Sequence, residues 1–213
     1  MNTIRQADGL PLLERQQSLA RTPWQQARVA ANRAWYATVL GDWADALRLG
    51  EAALAVAESL TDALADEALL ASVRQRLGTA MGMTRDFDTA LKHMRAAEAW
   101  IEDHAAAEDR FEFQGNLAVV LDNLGQSAQA LQHHLRAIRQ SASHSEHAQR
   151  ATHLGNCALS RLDAGHAQGA LAQATQAQRI VQDFELAGGS AGFFAVLLAQ
   201  SERALGHYTA ALQ

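Results

Sequence analysis

The sequence predicts an all-α protein built from repeated pairs of antiparallel helices. Two observations support this prediction besides the composition: a seven-residue segment that recurs five times, and small residues at fixed positions around each recurrence. The chain has 213 residues, of which 6% are aromatic and two are proline. Alanine is abundant, whereas the branched and aromatic side chains that suit a pleated sheet are sparse. The composition therefore favours helices over strands.

The recurring segment is first seen as GDWADAL at residues 41–47. It returns as RDFDTAL, GQSAQAL, GHAQGAL and GHYTAAL, which begin at Arg85, Gly125, Gly165 and Gly206. The intervals between these anchor residues are 44, 40, 40 and 41 residues. A period of this length is typical of stacked helical repeats.

Small residues keep the same distance from each anchor. Five residues after the anchors the chain has Ala46, Ala90, Ala130, Ala170 and Ala211. Twelve residues after the first four anchors it has Ala53, Ala97, Ala137 and Ala177, and seven residues before the anchors it has Ala34, Gly78, Ala118, Ala158 and Ala199. Because side-chain size sets the distance between packed helices, these positions predict close helix–helix contacts.

The anchors themselves predict where helices end and begin. A glycine just after a helix takes up the left-handed conformation, and aspartate is a preferred N-cap, as Asp42 and Asp86 are placed to be. Thr22 followed by Pro23 is a good start for the first helix of the first pair. Arg85 stands where the other repeats have glycine, so either its backbone is strained or that helix ends differently.

The pattern predicts five helix pairs and one extra helix. First helices are expected near 24–40, 62–83, 107–124, 146–164 and 190–205, and second helices near 43–60, 87–103, 127–141, 167–184 and from 207 onward. Residues 10–20 are expected to form a helix that caps the N-terminal face. The predicted organisation is an N-terminal segment, 1–21, followed by a repeat domain, 22–213, with repeats at about 22–60, 61–104, 105–144, 145–186 and an incomplete 187–213.

The small, glycine, aromatic and alanine positions resemble those of the tetratricopeptide repeat (TPR) family. The stretch NLAVVLDNLGQSAQAL at 116–131 is similar to the longer, roughly 40-residue repeats of kinesin light chains and bacterial regulators. The resemblance covers residues ~24–213 and implies a right-handed α-α superhelix whose first helices line a concave wall where peptides bind. The sequence departs from the family pattern in lacking a proline at the end of each repeat, and in having Gly50 and Ala174 where a bulky aromatic is usual.

The resemblance directs attention to two polar positions on the first helices. Nine residues before the five anchors the chain has Asn32, Arg76, Asn116, Asn156 and Leu197, and two residues before them it has Val39, Met83, Asn123, Asp163 and Ala204. An amide both donates to and accepts from a peptide backbone, whatever the peptide's sequence. The predicted peptide-binding site consists of these residues other than Val39, Leu197 and Ala204, with Trp35 as an apolar anchor.

Structural roles for the same residues stay open at this stage. The asparagines could tie neighbouring helices together, and Trp35 could pack under the N-terminal helix. Gly115 and Gly155 each cost about 1 kcal/mol against alanine inside a helix. Either close helix packing or the close approach of a ligand would explain them.

Catalytic and metal chemistry are not indicated. The histidines of 133–147, including His144 and His147, and His153 beyond them could suggest a metallohydrolase, but we expect them to be solvated in a polar connection. Cys157 is expected to be a small buried group. The segment GGSAG at 188–192 lacks the lysine of a phosphate-binding loop. We expect no enzyme activity, no metal and no cofactor.

Charge and hydropathy narrow the remaining function classes. The net charge is −5, and acidic residues and arginines are interspersed along the chain. The sequence has no basic stripe, so nucleic-acid binding is not predicted. The sequence contains no run of 18 apolar residues, so no membrane-spanning helix is predicted. Its single cysteine is typical of a protein in a reducing cytoplasm.

The predicted function is a cytoplasmic scaffold that binds a protein or peptide. The alternative is the regulatory module of a longer bacterial signalling protein with a nucleotide cyclase, kinase or DNA-binding output domain. The incomplete last repeat, with Ala211 and Leu212 uncovered, predicts either such a fragment or a homodimer through this end.

Overall fold

A computed structural model describes residues 3–60, 64–140, 147–184 and 190–207 of the chain. These residues form ten helices and no strand. The helices are α1 (Thr3–Leu19), α2 (Pro23–Leu40), α3 (Trp43–Ser59), α4 (Leu64–Met83), α5 (Phe87–His104), α6 (Ala107–Asn123), α7 (Ser127–Gln140), α8 (His147–Asp163), α9 (Ala167–Asp183) and α10 (Ser190–Ala204). The predicted paired helices that fall in the described residues are confirmed to within a few residues at each end, whereas the extra helix expected at 10–20 begins seven residues earlier, at Thr3. The predicted helix from 207 onward, and the interface proposed at Ala211 and Leu212, lie outside the described residues.

Contacts divide the chain into two compact units, Met1–Ala105 and Ala106–Gln213. In the first unit α2 packs on α3 and α4 packs on α5, while α3 and α2 both contact α4. In the second unit α6 packs on α7 and α8 packs on α9, and α7 and α6 both contact α8. Helix α10 packs on α9 and α8. Each unit thus places first helices beside first helices.

The helix starts are made by side chains that cap free backbone N–H groups. The Thr22 hydroxyl accepts a hydrogen bond from the Gln25 amide N–H at 3.2 Å, and the Gln25 side chain accepts one from the Thr22 N–H at 3.1 Å. The carboxylate of Asp42 accepts from the Asp45 N–H at 3.1 Å, and that of Asp86 accepts from the helix in the same way. The predicted caps are therefore confirmed.

The helix ends at the anchors take the left-handed conformation. Gly41, Gly125, Gly165 and Gly206 have φ between 71° and 80°. Arg85 has φ 68° and is the one described non-glycine residue with a positive φ. Of the two outcomes that the sequence left open, the strained backbone is the one observed. Packing of the neighbouring helices therefore holds Arg85 in the left-handed conformation, which is disfavoured for a residue with a Cβ.

The small-residue positions lie at the helix contacts. The alanines at 46, 90, 130 and 170 and those at 53, 97, 137 and 177 are at most 1% exposed. A Cβ added to Gly78 of α4 would lie 2.8 Å from Met94 Cγ and 3.1 Å from the Ala90 carbonyl oxygen of α5. The two helices are therefore as close as a residue without a side chain permits.

Helix α1 lies against α2 and resembles the expected extra helix. A Cβ on Gly9 would lie 2.7 Å from the Tyr36 ring, and Arg33 donates a hydrogen bond to the Gln17 side chain at 2.8 Å. Leu12 and Leu19 are 57% and 61% exposed. The helix exists as expected, and its capping role stays a prediction.

Replacing Gly78 with alanine tests whether helix spacing or helix propensity decides stability. Alanine improves propensity by about 1 kcal/mol, whereas overpacking against Met94 and the α5 backbone costs about 1–3 kcal/mol. We expect Gly78→Ala to lower the free energy of unfolding by about 1 kcal/mol in urea denaturation. Gly192→Ala is the matched control, since an added Cβ there meets nothing within 4 Å. A more stable Gly78→Ala protein would contradict close contact between α4 and α5.

Replacing Arg85 with glycine tests the strain at that turn. Removing the side chain relieves a left-handed penalty of about 1–2 kcal/mol, part of which is offset by the greater entropy of the unfolded glycine chain. We expect Arg85→Gly to raise the free energy of unfolding by about 0.5–1 kcal/mol. The reverse change in an open turn, Gly125→Ala, should lower it, since the added Cβ meets no neighbour and only the backbone conformation is penalised. Equal effects of the two variants would contradict the argument.

Candidate functional site

In the first unit, the structure joins two of the predicted site residues to each other. Arg76 Nη1 of α4 donates a hydrogen bond to Asn32 Oδ1 of α2 at 2.7 Å, and both side chains are half-buried. The bond ties neighbouring first helices together. Asn32 therefore has the structural role that the sequence left open. Its side-chain oxygen already accepts a hydrogen bond from Arg76, so a ligand could not use that oxygen without sharing it.

The other two predicted residues of the first unit differ in exposure. Trp35 is half-buried on α2, three residues beyond Asn32, and Met83 at the end of α4 is 58% exposed. A cleft of about 290 Å³ opens between α1 and α2, with Asn32 in its wall. The Arg28 guanidinium lies 5.3 Å from the Trp24 ring centroid in the same cleft.

In the second unit, four predicted site residues lie on α6 and α8 at matching positions. Asn116 and Asn156 are half-buried, and Asn123 and Asp163 are exposed. Asn123 Nδ2 donates to the Val119 carbonyl oxygen of its own helix at 2.8 Å. The Asn156 side chain makes no hydrogen bond with any residue in the described part of the chain. The amide of Asn156 is thus available to a ligand.

The sequence reasoning missed an apolar position between these polar ones. Val119 of α6 and Leu159 of α8 stand six residues before their anchors and are 39% and 40% exposed. This is the position that Trp35 holds in the first repeat, so extending the Trp35 register along the chain would have found them. On α10, Phe193 and Val196 add two more exposed apolar side chains.

We call the exposed side of α6 and α8 the first-helix face of the second unit. It is defined by Asn116, Val119, Asn123, Asn156, Leu159 and Asp163. On each helix these residues follow one another at intervals of three and four, which places them on one side of the helix. Each helix therefore presents an amide, then an apolar group, then a second polar group.

The glycines beside this face have a packing role. A Cβ on Gly115 would overlap the His153 ring, and one on Gly155 would lie 2.6 Å from Phe194 Cε1 and 2.7 Å from Phe193 Cε1. Each glycine therefore admits an aromatic ring from the next first helix. Of the two explanations that the sequence left open, close helix packing is observed.

The expectation that the histidines of this region are solvated is wrong for three of them. His134 is 0% exposed, His133 is 5% exposed, and the ring of His153 is largely enclosed. The error arose because the histidines were assigned to a polar connection. His133 and His134 belong to the helix predicted near 127–141, which is α7, and α7 carries them on its buried side. Residue 144 lies outside the described part of the chain, and His147 stacks on Phe184 with ring centroids 3.5 Å apart.

The buried histidines take part in a polar cluster at the contact of α6, α7 and α8. The His134 Nε2 atom lies 3.1 Å from Asp122 Oδ2, and the Ser160 hydroxyl donates to the same carboxylate at 2.9 Å. Beside this group, His133 Nδ1 hydrogen-bonds to the buried Gln114 side chain. Asp122 thus holds one group from α7 and one from α8.

The order of these groups differs from that of a catalytic triad. Asp122 lies between His134 and Ser160, so the serine donates to a carboxylate and not to a histidine base. Cys157 is buried as expected, and burial raises the pKa of its thiol, which disfavours the reactive thiolate. Among the described residues no three His, Cys, Asp or Glu side chains are grouped to hold a metal.

None of the described helices is both long and apolar enough to span a bilayer.

Removing the Asp122 carboxylate tests whether the polar cluster holds the three helices. Asp122→Ala leaves the buried Ser160 hydroxyl and His134 Nε2 without that partner, at about 1–3 kcal/mol for each unsatisfied group. We expect a fall of about 2 kcal/mol or more in the free energy of unfolding, measured by urea denaturation. The adjacent exposed Asn123→Ala is the control and should change it by less than about 0.5 kcal/mol. A neutral Asp122→Ala would show that the cluster contributes nothing.

Comparison with known proteins adds evidence on the fold. No family model and no curated protein sequence matches the chain. Among solved structures, BtubC (BKLC) from P. vanneervenii is 19% identical with a TM-score of 0.74, over 97% of this chain and 85% of that one. A Podosopora anserina protein of nearly identical TPR-like repeats is 20% identical with a TM-score of 0.72, over 91% and 92% of the two chains.

A third similar structure contains a ligand. It is a Rap protein complexed with Competence and Sporulation Factor, 15% identical with a TM-score of 0.67 over 95% of this chain and 55% of that one. At such identities the likeness shows the fold alone. The chain has the TPR-like helical-repeat fold, and the predicted fold class is confirmed.

Proposed function

We propose that the chain is a scaffold that binds an extended segment of a partner protein or peptide, without catalysis. The observation that carries the proposal is the first-helix face of the second unit. Two adjacent helices there repeat an amide, an apolar side chain and a polar side chain at the same three positions. A repeated surface of this kind suits a ligand whose own groups repeat, as those of an extended backbone do.

The chemistry of this face is suited to a peptide. The Asn156 side chain, which bonds to no described residue, offers a donor and an acceptor to a peptide group. Val119 and Leu159 provide apolar area from which a partner's side chain can exclude water. Asp163 adds a negative charge at the end of α8, so a cationic group on the partner is favoured there.

The fold supports the proposal in general terms. TPR-like repeats are commonly protein-interaction scaffolds, and a Rap protein of this fold has been observed with Competence and Sporulation Factor bound. The first-unit residues Asn32, Trp35, Arg76 and Met83 remain candidates for the same role. A reducing cytoplasmic setting is consistent with one buried cysteine.

Replacing both half-buried asparagines tests the site. We expect Asn116→Ala with Asn156→Ala to weaken binding of a partner isolated from cell extract by about 2 kcal/mol, or roughly 30-fold in Kd, since each lost hydrogen bond contributes about 1 kcal/mol. Isothermal titration calorimetry measures the change. Gln132→Ala with Gln168→Ala is the matched control, because it removes two exposed amides from the second helices α7 and α9.

A second pair of variants separates the apolar contribution. Val119→Ser with Leu159→Ser should weaken the same partner, while thermal unfolding changes little because both side chains are already about 40% exposed. If neither pair alters the affinity, the first-helix face is not the binding surface and the asparagines are architectural.

A second candidate function is the regulatory module of a longer signalling protein. The likeness to Rap proteins favours it, since this chain corresponds to 52% and 55% of the two Rap chains. Reading the gene beyond codon 213 tests this candidate. A downstream cyclase, kinase or DNA-binding domain in the same frame would support it, and an immediate stop codon would contradict it.

A further inference from the structure

One histidine occupies a position that is apolar in every other repeat. Twelve residues before the anchors the chain has Val29, Val73, Phe113, His153 and Phe194. The four apolar residues are at most 7% exposed. The second unit therefore carries an ionisable ring where the repeat calls for an apolar side chain.

The ring of His153 lies at the contact between the two helices of the first-helix face. It sits over Gly115 of α6, so closely that a Cβ there would overlap it, and it meets the Phe111 ring edge-on with centroids 4.8 Å apart. Gly115 directly precedes Asn116, and His153 stands one turn before Asn156. The ring thus helps to set the spacing of α6 and α8 where the two asparagines stand.

A fully buried histidine, His134, faces the half-buried His153. The rings of His134 and His153 have centroids 6.0 Å apart, and His134 is fully buried. Because a carboxylate oxygen of Asp122 accepts at the His134 Nε2 atom, that nitrogen carries a proton. The Nδ1 atoms of both rings are buried and have no hydrogen-bond partner among the described residues. A proton added at His153 Nδ1 would make a donor with no acceptor among the described residues.

We propose that the His134–His153 pair makes the α6–α8 contact, and with it the Asn116/Asn156 surface, sensitive to acid. The contact is closed while the His153 ring is neutral. A proton taken up from solvent by His153 forces the ring to seek water, which separates α8 from α6 at Gly115. The effect on partner binding rests on the proposed function, whereas the acid sensitivity of the contact does not.

The surroundings of His153 explain why the neutral ring is held. From α6 the ring meets Phe111 and the Gly115 backbone, while Asp122 is engaged with the Nε2 atom of His134. From α7 the group that acts on it electrostatically is His134, and within α8 the ionisable neighbours are Arg150 and Cys157, about one turn to either side. Burial first, and His134 second, lower the pKa of His153 from 6.5 to about 4.

The direction of the pH dependence follows from this shift. Between pH 6.5 and about 4 the histidine binds a proton in the unfolded or opened chain but not in the closed one. Acidification therefore favours opening, by up to about tenfold per pH unit in that window, and has no such effect above it.

The test compares the wild-type chain with His153→Phe, the residue that the repeat itself has at 113 and 194. We expect the unfolding equilibrium constant of wild type to rise, between pH 7.5 and 5.0, roughly 30-fold more than that of His153→Phe. His166→Gln, which removes an exposed histidine, is the control and should follow wild type. Residue-resolved hydrogen exchange, corrected for intrinsic rates, should show the extra opening in α6 and α8.

If His153→Phe does not fold, the proposal can still be tested by a measurement that needs only the wild-type protein. NMR titration of the histidine ring protons should show His153 unshifted until the pH falls below 5. A ring that titrates near 6.5, or a wild type and a folded His153→Phe with equal pH dependence, overturns the proposal. These experiments contain no partner, so their failure leaves the binding role standing. Failure of the asparagine variants likewise leaves the acid result standing.

Discussion

The close approach of helices through side chains no larger than a methyl group is the constraint on which each unit depends. The buried alanines and Gly78 lie where a first helix meets its second helix, and an extra carbon at Gly78 already overlaps Met94. Packing at this distance maximises the number of atom contacts per residue, which compensates for the small area that each alanine buries. It also makes helix spacing, and so everything displayed on the helices, depend on a few positions.

Helix spacing determines how the exposed side chains of neighbouring first helices are arranged relative to one another. The packed side of each helix requires small residues, so the sequence can vary only on the exposed side. There, α6 and α8 carry an amide, an apolar and a second polar side chain in the same order. In the first unit the corresponding Asn32 and Arg76 bond to each other. At this register position Asn32 is bonded to the neighbouring first helix in the first unit, whereas the Asn156 side chain in the second unit bonds to no described residue.

The polar cluster of the second unit lies among helices whose contacts are otherwise formed by apolar side chains. Burying histidines, a carboxylate and a hydroxyl costs free energy that an apolar core would not, unless every group is paired. Asp122 pairs two of them, but one nitrogen on each of His134 and His153 has no hydrogen-bond partner in the part of the chain that the structure describes. A buried group that is incompletely paired responds to proton concentration, which an alanine or phenylalanine at the same place cannot do.

The sequence by itself determined the helices, their pairing and the positions of the turns, because these follow from local rules. Glycine anchors, N-capping aspartates and recurring alanines each act within one or two turns of chain, and even the irregular Arg85 was marked as a choice between two outcomes. It also identified Asn116 and Asn156 as equivalent positions.

Only the tertiary structure decided which polar groups face each other. The Asn32–Arg76 bond joins residues 44 positions apart, and Ser160 reaches Asp122 across 38. Whether a histidine on a helix lies in water or under a neighbour depends on helices distant in sequence. Burial is a property of the assembled helices, whereas capping and turn formation are properties of the local chain.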